Sequence, residues 1–145
     1  AEAPEQRIER ASITQTIARV SDDWPTDDDI ELLRGPVQSV ASVTYINESG
    51  ATQTVSSSAY TLDNADENGR AWVLLQDGEE WPEVGDYGNA VTVTFVAGYG
   101  SAAAVPALLK AWIIMAATWM NENRSAGLPR DFGDGMLARY RAWAV

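Results

Sequence analysis

The residues best able to do chemistry in this 145-residue chain are carboxylates that lie close to tryptophans. Two carboxylates can divide the roles of general acid and nucleophile in the hydrolysis of a glycosidic bond, and a tryptophan ring can support a sugar. One interpretation is therefore a carboxylate-dependent glycan hydrolase with Trp72 or Trp81 as its sugar platform. The candidate acids of that hydrolase are Asp63, Asp66, Asp77, Glu79 and Glu80.

Most other catalytic chemistry is excluded by composition, because the chain has no histidine and no cysteine. Their absence removes thiol nucleophiles, disulfides, histidine-dependent serine triads, and zinc sites built from thiolates or imidazoles. The interpretation that we favour is a protein without enzyme activity, and we expect no catalytic residues, no cofactor and no metal.

Three further motifs resemble ligand sites only in part. Gly98-Tyr99-Gly100, with Ala103 after it, fits a dinucleotide-binding pattern, but no parallel strand follows it. The run from Asn64 to Gly69 fits the first half of a calcium loop, but its twelfth position is Leu75 where a glutamate is needed. Residues 27–29 are three adjacent aspartates, which point to opposite faces of an extended chain. We interpret all three motifs as ordinary loops or connections.

Periodicity predicts the elements that must position these residues. Val91, Val93 and Phe95 alternate with threonines, which indicates a half-buried strand. Runs rich in β-branched residues predict further strands at 12–19, 37–46, 52–55, 60–62 and 71–75. A helix is expected from Pro106 to about Asn123, and a short one around 134–143. The predicted fold is α+β, with antiparallel β-strands and long acidic loops, one long apolar C-terminal helix and a short terminal helix.

We expect a single domain with three parts. Residues 1–10 are predicted to be the end of a helical N-terminal part, residues 11–100 a β-rich region, and residues 101–145 a helical C-terminal part. The net charge is −11, and residues 20–100 alone hold fifteen acidic and two basic residues. Tight binding to nucleic acid needs clusters of basic residues, so we expect any DNA contact to be non-adhesive.

The apolar run from Val105 to Met120 is the most informative segment. Lys110 and Thr118 are its only polar residues, yet at 16 positions it is shorter than the roughly 18 apolar residues that a membrane span needs. No membrane association is expected. A helix that is apolar nearly all round must be covered on nearly all sides, and we expect either further N-terminal helices or neighbouring copies to supply the cover. The predicted subunit-interface residues are Leu108, Trp112, Ile113, Met115, Trp119 and Met120.

Four stretches carry a family resemblance. Residues 33–45 read LRGPVQSVASVTY, residues 91–100 read VTVTFVAGYG, Val105-Pro106 opens a tryptophan-containing helix that ends in Glu122-Asn123-Arg124, and Tyr140-Arg141 follows near the C-terminus. Together they resemble the head-tail connector (adaptor) proteins of tailed bacteriophages and of gene transfer agents. The resemblance extends from about residue 13 to residue 140.

The resemblance implies a structural virion protein that forms a ring, a dodecamer, beneath the portal. Such a ring links the portal to the neck, stopper or tail protein and lines the DNA conduit, through which DNA passes without specific binding. It implies a location in the neck of a phage or gene transfer agent particle, assembled in the bacterial cytoplasm. The basic and aromatic C-terminus is the expected portal contact, through Arg139, Tyr140, Arg141 and Trp143. A third interpretation, a monomeric β-rich binding module, predicts no assembly.

Overall fold

The computed structural model describes Ala11, residues 13–64 and residues 70–138, and within them it contains seven strands and two helices. The strands are β1 (Gln15–Ser21), β2 (Ile30–Leu32), β3 (Val37–Ile46), β4 (Thr52–Thr54), β5 (Tyr60–Asp63), β6 (Ala71–Leu75) and β7 (Val91–Ala97). The helices are α1 (Ala107–Glu122) and α2 (Asp134–Leu137). The prediction of antiparallel strands followed by helices is confirmed.

The strands form two antiparallel sheets, one of four strands in the order β1-β7-β3-β4 and one of three in the order β2-β6-β5. Strand β7 lies between β1 and β3, and all seven of its residues pair with β1. Its side chains alternate strictly between buried and half-buried. This is the period-two pattern that the sequence predicted, since successive side chains of a strand point to opposite faces.

Side chains from both sheets meet in one hydrophobic cluster. Phe95 and Val43 come from the four-stranded sheet, whereas Ile30, Leu32 and Val73 come from the three-stranded sheet, and all five are buried. The sequence analysis missed β2, because its three residues directly follow an acidic stretch that reads as a turn. Ile30 and Leu32 nevertheless fit the alternation of a short strand, with Glu31 between them on the other face.

The helix α1 has 16 residues, which at about 1.5 Å per residue makes it roughly 24 Å long. It begins and ends within one residue of the predicted limits, but it is of ordinary length, so the description of a long helix is not supported. The short helix α2 ends at Leu137, and residues 139–143 of the helix predicted there lie outside the described residues. Among the residues that the structure describes, no helix has both the length and the apolar character needed to span a membrane.

The two helices form a second hydrophobic cluster of their own. Its buried members include Leu109, Trp112 and Leu137, and the segment that joins the helices adds Leu128 and Phe132. No residue of this cluster belongs to the cluster between the sheets. The described chain therefore has two separately packed parts, which we call the sheet unit (residues 13–97) and the helical unit (residues 99–138).

Tyr60 gives the sheet unit a pH dependence that can be measured. It begins β5 and packs against the cluster between the sheets, and this burial raises the pKa of its phenol above the ordinary 10.0. The unfolded chain ionises Tyr60 at its ordinary pKa while the folded chain keeps the proton. The contribution of Tyr60 to the free energy of unfolding is therefore fully present below pH 10.0. It is lost as the pH rises from 10.0 through the raised pKa of the folded chain.

We expect Tyr60→Phe to unfold with a weaker dependence on alkaline pH than the parent chain. Denaturant titrations of both proteins are made at a series of pH values, from neutral pH to above the ordinary tyrosine pKa of 10.0, and their unfolding free energies are compared. Tyr87→Phe, a change at an exposed tyrosine, is the control and should follow the parent curve. Identical slopes for the parent and Tyr60→Phe would contradict the assignment.

Candidate interaction site

The helix α1 buries only one narrow stripe of its surface. Leu109, Trp112 and Ala116 are its buried residues, and their spacing of three and four places them on one face. The chain that returns through α2 packs against this single face of the helix.

Trp112 anchors that stripe. Its side chain is only 2% exposed, and its indole Nε1 donates a hydrogen bond of 3.0 Å to the carbonyl oxygen of Phe132. Gly133 follows with a φ of 66°, and a Cβ there would lie 2.6 Å from the indole ring. Glycine thus lets the backbone pass directly against the ring. Trp112 is buried inside its own chain, and its role as a subunit-interface residue stays a prediction.

Four large apolar side chains lie on the uncovered side of α1. Ile113 is 41% exposed, Ile114 66%, Met115 46% and Met120 41%. We call these four residues the exposed helix surface. Water contact with contiguous apolar groups is unfavourable, and such patches commonly mark protein contacts. Ile113, Met115 and Met120 are among the predicted interface residues, whereas Ile114 is not.

Leu108 and Trp119, the two other predicted interface residues on α1, are partly buried. The Trp119 ring lies 5.8 Å from the ring of Phe132, and its Nε1 is buried without a hydrogen-bond partner. An indole N–H that is buried without an acceptor costs free energy. Because Trp119 contacts Phe132 and is only partly buried, it lies at the border between the buried stripe and the exposed helix surface.

The acidic loops of the sheet unit are joined by two tryptophans. Trp24, from the loop after β1, stacks on Trp81, from the loop after β6, with ring centres 4.5 Å apart and planes inclined by 13°. Each indole N–H donates to the opposite loop, Trp24 to the Pro82 carbonyl oxygen at 2.7 Å and Trp81 to that of Asp28 at 2.9 Å. These reciprocal contacts hold the two loops side by side.

A cleft of about 400 Å³ lies between the same loops. Its lining residues are Asp22, Asp23, Val84, Gly85, Asp86, Tyr87 and Gly88. None of the acids proposed for a glycan hydrolase is among them, and Trp81 has one ring face covered by Trp24. Trp72 lies on β6 opposite Asp63 of β5, away from this lining, and Asp66 lies outside the described residues. The lining of this cleft therefore contains none of the predicted acids and neither Trp72 nor Trp81.

The partial ligand motifs also find ordinary roles. Both neighbours of β7 are antiparallel to it, so the glycines after it lack the parallel sheet that a dinucleotide fold requires. Asn64 donates to the Val37 carbonyl oxygen at 2.9 Å, and the rest of the calcium-like motif up to Gly69 is outside the described residues. The aspartates at 27–29 are exposed. Among the described residues, no three acidic side chains are placed to hold a metal ion.

The predicted portal contacts Arg139, Tyr140, Arg141 and Trp143 lie outside the described residues. The helical unit that precedes them carries Lys110, Arg124 and Arg130 against three acids, whereas acids greatly outnumber bases in the sheet unit. The described chain therefore has an acidic part and a nearly neutral part, and the exposed helix surface lies on the neutral one.

The sequence matches no protein-family model and no curated protein. Its fold, however, matches chains in solved particle structures. One is described as the neck of a native gene transfer agent particle computed with C12 symmetry, where the TM-score is 0.78 at 23% identity, over 95% of this chain and 75% of that chain.

Two further matches belong to the same kind of particle. A chain in the virion of a native gene transfer agent particle gives a TM-score of 0.77, and one in the neck of an empty particle computed with C6 symmetry gives 0.76. Both are 23% identical to this chain and are matched over 95% of it and 70% of their own length. The fold of this chain is thus similar to that of chains found in gene transfer agent particles and their necks.

Proposed function

We propose that the chain is a structural virion protein of a particle neck, a ring-forming head-tail adaptor that links the portal to the neck, stopper or tail protein. The observation that carries the proposal is the fold match over 95% of the chain to chains in gene transfer agent necks. The proposed location is the virion, with assembly in the bacterial cytoplasm, and the proposed role is not enzymatic.

The exposed helix surface supports a ring of identical copies. In a closed ring each copy presents one surface to its neighbour and receives a different one, so an apolar face can be covered without leaving a free end. We propose that Ile113, Ile114, Met115 and Met120 form the centre of that contact, with Leu108 and Trp119 at its border. A dodecamer agrees with the C12 symmetry given for one of the similar structures.

The acidic loops suit a wall past which DNA moves. In the described sheet unit the loops after β1 and β6 carry exposed carboxylates and no basic residue. Negatively charged loops repel the negatively charged phosphate backbone of DNA, so DNA is not bound as it passes. We propose that these loops face the conduit and that DNA passes without specific contacts.

The portal contact is proposed for the C-terminal segment that holds Arg139, Tyr140, Arg141 and Trp143. We expect a chain truncated after Leu137 to lose binding to the purified portal, because arginine and aromatic side chains supply much of the energy of protein contacts. The buried residues of both hydrophobic clusters are retained by this truncation, so the fold should persist. Binding is measured by pull-down, and circular dichroism checks the fold.

A chain that lacks only Ala144 and Val145 is the matched control for this truncation, and it should bind the portal as the full chain does. Full binding by the chain truncated after Leu137 would refute the docking role.

The mass of the assembly tests the proposal as a whole. Native mass spectrometry of the full chain, alone and with the portal, should show a closed ring of defined copy number. A concentration-independent monomer under both conditions would instead support the monomeric binding module.

A further inference from the structure

The segment that joins β7 to α1 has a backbone that favours glycine. Gly98 has a φ of 126° and Gly100 a φ of 83°, values that side chains other than glycine rarely allow. A Cβ at Gly98 would also lie 2.3 Å from the carbonyl oxygen of Ile13. The connection therefore passes in direct contact with the backbone that leads into β1.

The Gly98 N–H donates to the Pro36 carbonyl oxygen at 2.8 Å, and two side chains of the sheet unit also bind the connection. The Gln38 Nε2 donates to the Gly98 carbonyl oxygen at 2.8 Å and to the Thr14 hydroxyl at 3.2 Å. The Thr14 hydroxyl in turn donates to the Gly100 carbonyl oxygen at 3.2 Å. Both amide hydrogens of Gln38 are thus used. We call Thr14, Gln38, Gly98 and Gly100 the Gln38 junction.

A β-bulge explains why Gln38 can reach the connection. The register between β3 and β7 shifts between Val37 and Ser39, so Gln38 is an extra residue that has no opposite partner on β7. Bulges redirect the side chain of the residue they insert. Here that side chain is directed at the end of β7.

The junction lies where the two separately packed units meet. Gly98 follows the last residue of β7, while Tyr99 already packs against the cluster of the helical unit. The hydrophobic clusters on either side share no residue. A rotation about Gly98 would therefore change the direction of α1 without opening either cluster.

We infer that the Gln38 junction is a latch that sets the angle between the helical unit and the sheet unit, and that its opening lets the helical unit rotate about Gly98. Hinges of domain motions are a few residues that absorb backbone rotation, and glycines do so most readily. Such a swing would move the exposed helix surface relative to the acidic loops. The inference concerns the single chain and does not depend on the proposed function.

Hydrogen exchange of the full chain tests the latch. Gln38→Ala removes two hydrogen bonds, and we expect amide exchange in residues 98–104 to rise about fivefold. Gln38→Glu should raise it more, since a carboxylate cannot donate to the Gly98 carbonyl oxygen and repels it. Exchange in β7 and α1 should stay unchanged. Gln53→Ala, at an exposed glutamine in β4 of the same sheet, is the matched control.

A distance measurement gives an independent readout of the angle. The chain has no cysteine, so Thr61→Cys on β5 and Asn121→Cys at the end of α1 place two spin labels at defined sites, both exposed. The label distance distribution should be narrow in the parent and in Gln53→Ala, and broad in Gln38→Ala. Should Gln38→Glu fail to fold, Thr14→Val removes the bond to Gly100 and the acceptor of one Gln38 amide hydrogen, but it keeps the bond from Gln38 to Gly98 and should broaden the distribution less.

Two results would overturn the inference. One is unchanged exchange in residues 98–104 and an unchanged label distance in every junction variant. The other is an equal rise of exchange in β7 and in the connection, which would mean that Gln38 only stabilises the sheet.

Discussion

Replacing Ile114 with glutamate is expected to convert the proposed ring into monomers. Ile114 is the most exposed large apolar residue of α1, at 66%, and lies at the centre of the exposed helix surface. Burying an isoleucine side chain contributes about 1.5–3 kcal/mol, and a carboxylate in the same contact adds a desolvation penalty. A combined loss of about 4 kcal/mol per contact weakens association roughly a thousandfold.

The fold of the monomer should be little affected by Ile114→Glu. Substitutions at exposed positions usually change stability by no more than about 0.5 kcal/mol. Native mass spectrometry measures the assembly, and thermal unfolding monitored by circular dichroism measures the fold.

Ile13→Glu is the matched control for this prediction. It makes the same chemical change at an isoleucine that is 69% exposed, just before β1 and outside the exposed helix surface. Rings should form normally from this variant. If Ile114→Glu still assembles, the exposed helix surface is not the subunit contact. If Ile13→Glu also gives monomers, the charge change rather than the helix surface explains the loss.

Local patterns predicted the regular elements well. The alternation of Val91, Val93 and Phe95 depends only on the geometry of one strand, and Pro106 before an apolar run is a local signal for a helix start. The sequence therefore placed β7 and α1 to within a few residues. The three-residue strand β2 was missed, because its pairing with β6 rather than its own length makes it a strand.

The candidate interaction site was only partly predictable. The apolar composition of α1 indicates that the helix must pack against other residues. Which face is buried within the chain itself depends on the segment that returns through Phe132 and Leu137. That return buries Trp112 and leaves Ile114 in solvent. The stacking of Trp24 on Trp81 likewise joins residues far apart in sequence, and no local pattern distinguishes a paired tryptophan from one that binds a ligand.

Replacing Trp112 with alanine is expected to unfold the helical unit while the sheet unit stays folded. The indole is 2% exposed, its ring packs edge to face with Phe132 at 6.3 Å, and its N–H binds the Phe132 carbonyl oxygen. Removing a buried tryptophan costs about 3–5 kcal/mol. Among the residues that the structure describes, the cluster of the helical unit has five buried members, so we expect it not to survive a loss of this size.

Hydrogen exchange separates the two units in this experiment. Amides of α1 should lose their protection in Trp112→Ala, and the helical signal in circular dichroism should fall, while amides of β7 remain protected. The sheets can stay folded because their hydrophobic cluster contains no residue of the helical unit.

Trp119→Ala is the control, because it removes a second tryptophan of α1 that is partly exposed and whose Nε1 has no hydrogen-bond partner. Its cost should be about 1–2 kcal/mol, because less apolar surface and no hydrogen bond are lost. Trp112→Phe keeps most of the ring but leaves the Phe132 carbonyl oxygen without its donor, so its effect should fall between the two. Simultaneous loss of protection in α1 and β7 in Trp112→Ala would show that both units unfold as one, and unchanged protection in α1 would show that Trp112 does not anchor the helix.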